Sequence, residues 1–247
     1  MNILALETSA KAASCAILSD GSLVAEFFTN AGLTHSETIM PMVRSMLECA
    51  KKSLRDMDVF AIAAGPGSFT GLRIGISAVK GMTLPDDKPC CAVSTLEALA
   101  YNLTAFNGIA VPLMDAHRGQ VYTALFKNQN GDVTRLTDDD ATEINEVYEK
   151  LKSFTEPVML VGDGAPLYYR DLSDKLPNVL LTPGPFLHQR AGSVAYAARQ
   201  RLMNGGGTCA PDALAPFYLR LSQAERELLE KQSNNHKRLK MRRRDYG

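Results

Sequence analysis

Two stretches of this 247-residue chain follow one plan, and that repetition limits the fold more than any other feature. The first, NILALETSAKAASCAILSDGSLVAEFF, reads as three strands, Ile3 to Leu6, Ser14 to Leu18 and Leu23 to Phe28. A polar link, Thr8-Ser9-Ala10-Lys11, joins the first two, and Asp20-Gly21 is a hairpin-turn signal before the third. The second, IAVPLMDAHRGQVYTALFKNQNGDVTRL, repeats the plan from near Gly108: strand, polar turn, strand, Asn-Gly or Gly-Asp turn, strand. A helix and a further strand follow each time. In the first copy these are Ser36–Leu54 and the buried-strand candidate Val59 to Ala64, then a second helix, Leu72–Leu84. In the second copy they are Glu143 to Phe154 and Val158 to Val161, ahead of Gly162-Asp163-Gly164. A βββαβα unit that recurs, more loosely the second time, implies an α/β chain of two related lobes with a cleft between them. The expected layout is a first lobe over 1–104 and a second over 105–192. Helices over 193–230 should pack back on both, and 231–247 should be a basic, disordered tail.

Local chemistry refines this plan. Thr34 and Glu37 fit a capping box at the start of the first helix, and Ile39, Val43, Met46, Leu47, Ala50 and Leu54 recur at helical spacing. Pro41 falls inside that helix and should remove one backbone bond. Met40, Met42 and Met46 widen its apolar face; methionine serves equally as a core filler or as an adaptable surface for a docking partner. Cys90 to Val93 is strand-like and Thr95 to Leu103 helical.

With 45% hydrophobic and 22% charged residues the chain has enough apolar surface for a core. No apolar run approaches the ~20 residues that span a bilayer, and MNILALETSA lacks the basic start of a secretory signal. Five irregularly spaced cysteines without a CxxC pair point to reduced thiols in a cytoplasmic protein. Charge is unevenly spread. Lys231 to Gly247 holds seven basic residues and one acid; taking these from 27 and 27 leaves 20 and 26, a net of −6. Such a body is a poor nucleic-acid surface. The run Lys237–Arg244 is either a solvated block or a weak RNA contact.

The stretch AAGPGSFTGLR, Ala63 to Arg73, links a strand to a helix and has the look of a phosphate loop. It fits neither GxxxxGK[ST] nor GxGxxG. Thr8, Ser9, Gly65, Gly67, Ser68 and Gly71 are the candidate residues for residual nucleotide or phosphate binding; a tight turn with no ligand explains the glycines as well.

These residues carry a resemblance. LALETSAKAASCAIL, THSETIMP, GPGSFTGLRIG, VSTLEALA, MDAHRGQVYTALF and APFYLRLS together resemble the TsaB (YeaZ) family over nearly all of residues 1 to 222. The resemblance implies an actin/Hsp70/sugar-kinase-like fold. It also implies a non-catalytic role beside TsaD and the ATPase TsaE, in threonylcarbamoyl transfer to adenosine 37 of tRNAs reading codons that begin with A. The donor would be a threonylcarbamoyl-adenylate made by another enzyme. TsaD carries two metal-binding histidines at i and i+4 on one helix. The matching positions here are Thr95 and Leu99, so the resemblance implies neither a metal nor a catalytic residue. Met40, Val43 and Leu47 on the first helix, with Ile76 and Val79 on the second, are the candidate contacts for TsaD, or for a second copy when the chain is alone.

Other chemistry finds less support. His35, His117, His188 and His236 stand singly, and no GxSxG elbow exists. Glu97 reads as a capping or salt-bridge group. Glu7 and Asp115 occupy equivalent turns of the two copies, where related ATPases touch phosphate and Mg²⁺; turn chemistry accounts for both equally. The rival reading is an ATP-dependent kinase or ATPase acting alone, with ATP or ADP as cofactor.

Overall fold

The computed structural model describes residues 1–220. Its first sheet contains β1 (Asn2–Glu7), β2 (Ala13–Ser19), β3 (Ser22–Thr29), β4 (Val59–Gly65) and β5 (Cys90–Ser94), in the order β3-β2-β1-β4-β5. The first three strands form an antiparallel meander, and β1, β4 and β5 run parallel. Parallel strands need crossovers, supplied by α1 (His35–Ala50) and α2 (Phe69–Thr83). The expected type of turn forms at Asp20-Gly21, with φ of 50° and 86°, and again at Asn130-Gly131, with 54° and 90°.

Both faces of the sheet's centre are covered, which explains why β4, VFAIAAG, is buried at every position, while the edge strand β3 is partly exposed. Side chains alternate along β1. Leu4 and Leu6 pack with Ile39, Val43 and Met46 of α1 and with Ile76 and Val79 of α2. Ile3 and Ala5 face the other way, onto Ala191, Val194, Ala195 and Ala198 of α6 (Ala191–Met203). The small side chains of α6 allow it to lie close to the sheet.

The second sheet contains β6 (Gly108–Asp115), β7 (Gln120–Thr123), β8 (Phe126–Gln129), β9 (Asp132–Arg135), β10 (Asp140–Glu143), β11 (Val158–Val161) and β12 (Val179–Leu181). Its main path is β10-β7-β6-β11-β12, with β8 on β6 and β9 on β8. The helices α4 (Ile144–Leu151) and α5 (Ala165–Ser173) close one face. Between the lobes lies α3 (Thr95–Tyr101). Its Ala98 joins the core beneath α6, while Leu96, Leu99 and Ala100 pack on Ala110, Met114, Phe126 and Val161 of the second lobe.

The α/β class and the duplicated plan are both present, with local differences. Thr34 does cap α1 but its side chain accepts no bond there, so no capping box forms; the Glu37 N–H instead donates to the Thr34 carbonyl at 3.1 Å. The helix runs through Pro41 and stops at Ala50, because Lys51 turns left-handed at φ 50°. Leu54 belongs to a separate 3-10 turn. The second lobe departs most. The apolar run VYTALF breaks at Ala124-Leu125 into β7 and β8, which pair with opposite ends of the long β6. The Leu125 N–H donates to the Thr137 hydroxyl at 2.9 Å, and that side-chain bond turns the chain out of the ladder. Among the described residues the C-terminal part contains one helix, α6. The tail Lys237–Arg244 lies outside the described residues.

Candidate functional site

A cleft of about 580 Å³ opens between the lobes, where the parallel strands of both sheets end. Four turns build it: Ser9–Lys11 after β1, Pro66–Thr70 after β4, Asp115–His117 after β6, and Asp163 after β11. A fifth piece, residues 217–220, crosses over them as a strap. The Phe217 N–H donates to the Ala64 carbonyl at 2.7 Å, and the Tyr218 ring stacks on Phe69 at 4.5 Å. The Arg73 guanidinium lies 3.8 Å from the Phe69 centroid, and its Nε–H donates to the Tyr218 hydroxyl. Arg220 then reaches the second lobe, donating to the Ala116 carbonyl at 2.7 Å. Resemblance had marked this segment; no periodicity or spacing announced it.

Asp115 and Asp163 line the cleft, and a third acid lies buried at the end of β1. Glu7, fully buried at the end of β1, accepts the Ser9 N–H on Oε1, while Oε2 has no protein partner among the described residues. Burial pushes its carboxyl up from the ordinary 4.5 to about 7, opposed by Ser9 and aided by the charge of Asp163. Asp163 is also raised, first by burial and further by Asp115, while the Gln189 amide, donating at 2.8 Å, pulls it down. Asp115 braces the exposed turn after β6 by accepting the His117 N–H at 2.8 Å. Sequence reasoning singled out Glu7 and Asp115 but gave Asp163 no role. Its position just after β11, comparable to that of Glu7 at the end of β1, is the available signal.

The glycine-rich stretch is a packing device. A Cβ on Gly67 would lie 2.4 Å from the Ser9 carbonyl oxygen, one on Gly71 2.1 Å from that of Thr8, and one on Gly75 2.2 Å from the Thr8 hydroxyl. These glycines let α2 press against the link between β1 and β2. Gly65, at φ 132°, does the same for the strap, since its Cβ would meet the Phe217 carbonyl at 2.1 Å. The polar groups are engaged with each other. The Thr8 hydroxyl donates to the Gly71 carbonyl at 2.8 Å, the Ser68 N–H to the Ser9 carbonyl at 2.6 Å, and the Gly71 N–H to the Ser68 hydroxyl. Ser9 Oγ is buried at the cleft wall with no partner among the described residues.

The two positions matched to the paralogue's metal ligands do not fit a metal. Thr95 and Leu99 are both fully buried in α3, and Leu99 packs against the second lobe. Glu97 is an ion-pair residue, bridging Arg201 of α6 and Arg135 of β9. The candidate docking set divides. Val43, Ile76 and Val79 are at most 5% exposed and fill the chain's own core, although Val43 still forms part of the floor of a surface groove. They point inward because the same helical stripe that suggested docking is needed to cover the sheet. Met40 is exposed, Leu47 half-buried, and both border a groove of about 560 Å³ with Pro41, Arg44 and Leu54.

Two lobes of one plan, with strand ends meeting at a cleft between them, define the class of two-lobed α/β proteins. Within that class, the family profile for TsaD, tRNA N6-adenosine threonylcarbamoyltransferase, matches residues 29–228. The tRNA threonylcarbamoyladenosine biosynthesis protein TsaB of Bacillus subtilis is 33% identical, over 94% of this chain and all of that protein. TsaB of Escherichia coli is 32% identical, over 92% of this chain and 98% of that one. The solved structure of YeaZ from Pseudomonas aeruginosa, at 26% identity, covers 88% of this chain and 99% of that one with a TM-score of 0.76. The chain belongs to the TsaB (YeaZ) family. Among the described residues no helix is long and apolar enough to cross a membrane.

Proposed function

We propose that this chain is a non-catalytic subunit in the synthesis of threonylcarbamoyladenosine on tRNA. It acts by docking on TsaD, with TsaE completing the complex, and the group is transferred to adenosine 37 of tRNAs reading codons that begin with A. One observation carries the reading. In a chain matched over 94% of its length by a TsaB relative, the helix that would present metal ligands in the paralogue presents Thr95 and Leu99 to the core instead. The cleft supports the same view, because its glycines and the Thr8 and Ser68 hydroxyls are engaged in packing the two links together. The chain accordingly needs no cofactor of its own, and tRNA reaches it through the complex.

Docking is assigned to the outer face of α1. Met40 and Leu47 offer apolar surface there, and Arg44 and Glu48 offer polar contacts at its rim. In the absence of TsaD the same face pairs two copies. The test is reconstitution. The chain alone turns over no ATP and modifies no tRNA; added to TsaD and TsaE it restores threonylcarbamoyladenosine formation. Met40→Glu weakens co-purification with TsaD at least tenfold while the melting temperature stays within a degree or two, since Met40 is outside the core. ATP turnover by the isolated chain, or full activity of TsaD and TsaE without it, refutes the reading.

A further inference from the structure

After α6 the chain returns to the first sheet and touches its outer edge at one point. Cys209 stands opposite Cys90 of β5 as an isolated antiparallel bridge. The Cys90 N–H donates to the Cys209 carbonyl at 2.9 Å, and the Cys209 N–H returns the bond at 2.8 Å. In such a reciprocally bonded pair the Cα atoms are about 5.5 Å apart and both side chains leave the same face. That face is identified here, because both cysteines pack into the core beneath α1 and α2. Cys91 points the other way, into the core beneath α6. A Cα separation of about 5.5 Å is the commonest one for a disulfide.

We propose that Cys90 and Cys209 form a dithiol–disulfide pair, a redox modification site that ties residues 208–220 to the edge of the first sheet. Both are free thiols in the structure. Cys209 is partly exposed and Cys90 is buried, which sets the order of events. The Cys209 thiolate attacks one sulfur of a small disulfide such as oxidised glutathione, forming a mixed disulfide and releasing one glutathione thiolate. The Cys90 thiolate then attacks the Cys209 sulfur and expels the second. The two protein thiols lose two electrons and two protons, and the glutathione disulfide gains both as two thiols. Burial raises both thiols and slows the first attack, with Lys80 opposing this at each sulfur and Asp87 and Asp212 adding to it. The segment tied down leads into the strap over the cleft, so oxidation anchors the strap at its near end.

The full chain is exposed to oxidised glutathione, alkylated in denaturant and digested without reductant. The expected product is a peptide pair joined through Cys90 and Cys209, two hydrogens lighter than its parts and separated again by dithiothreitol. Cys209→Ser abolishes it; Cys49→Ser, at an exposed and isolated thiol, leaves it unchanged. Cys90→Ala leaves Cys209 carrying glutathione. A link from Cys209 to Cys91, or alkylation of both Cys90 and Cys209 after exposure to oxidant, overturns the proposal. The Cys209→Ser arm needs no buried residue changed, so the outcome stands even if Cys90→Ala fails to fold.

Discussion

Glu7 shows how far one residue can depart from the reading its neighbours suggest. In sequence it is a turn acid, yet it ends a fully buried strand with one carboxylate oxygen unpartnered. Its proton therefore stays on to about pH 7 in the folded chain, against about 4.5 when unfolded. Between those values the folded state holds a proton that the unfolded state has lost, so stability falls as pH rises through the window. The loss is on the order of 3 kcal/mol once both states are ionised. Glu7→Gln keeps the acceptor for the Ser9 N–H and has no proton to lose. Urea unfolding across pH 4.5 to 8 should show the variant gaining on the wild type as pH rises; parallel curves would mean that Glu7 titrates normally.

The glycines of α2 decide how closely that helix approaches β1, and the same helix supplies a control. Gly71→Ala drives a Cβ against the Thr8 carbonyl, a backbone atom that cannot swing aside, and threatens the bond from the Thr8 hydroxyl to Gly71. It should cost about 2–4 kcal/mol. Gly81, exposed in the same helix with nothing within 4 Å of its added Cβ, should gain about 0.5–1 kcal/mol as alanine. Thermal melts of both variants check this. A destabilised Gly81→Ala or a neutral Gly71→Ala would show that the loop relaxes more readily than its packing indicates. The first helix carries the complementary lesson. Its inner stripe is committed to the core, while Met40 and Leu47 beside that stripe border a surface groove.

The lobes are joined by more than the chain that runs between them. Glu97 on α3 binds Arg201 behind the first sheet and Arg135 from the second lobe, and Arg135 is held in turn by Asp139. Asn128, buried on β8, donates to the Ala100 and Leu103 carbonyls at the end of α3. With the strap on the far side, the cleft is fixed along both margins. Glu97→Ala leaves two guanidinium groups without their shared partner and should lower stability by about 2 kcal/mol. Combined with Arg201→Ala the loss should fall short of the sum, because the second change removes one of the stranded charges. Strict additivity in denaturant titrations would dissolve the network.

Much of this architecture was legible in the residues. Short apolar runs, the Asp-Gly turn and the helical stripe of α1 are local signals, and each depends on a residue's own backbone preference and spacing. The break of VYTALF into β7 and β8 was not legible, since it depends on the Thr137 hydroxyl arriving from 12 residues away. Nor was the role of the glycines. Loop composition does not announce a close helix contact, which depends on Thr8 and Ser9 meeting that loop after the sheet assembles. The inward turn of Val43, Ile76 and Val79 has the same origin. A helix pattern states that one face is apolar; which surface covers that face is a property of the packed chain.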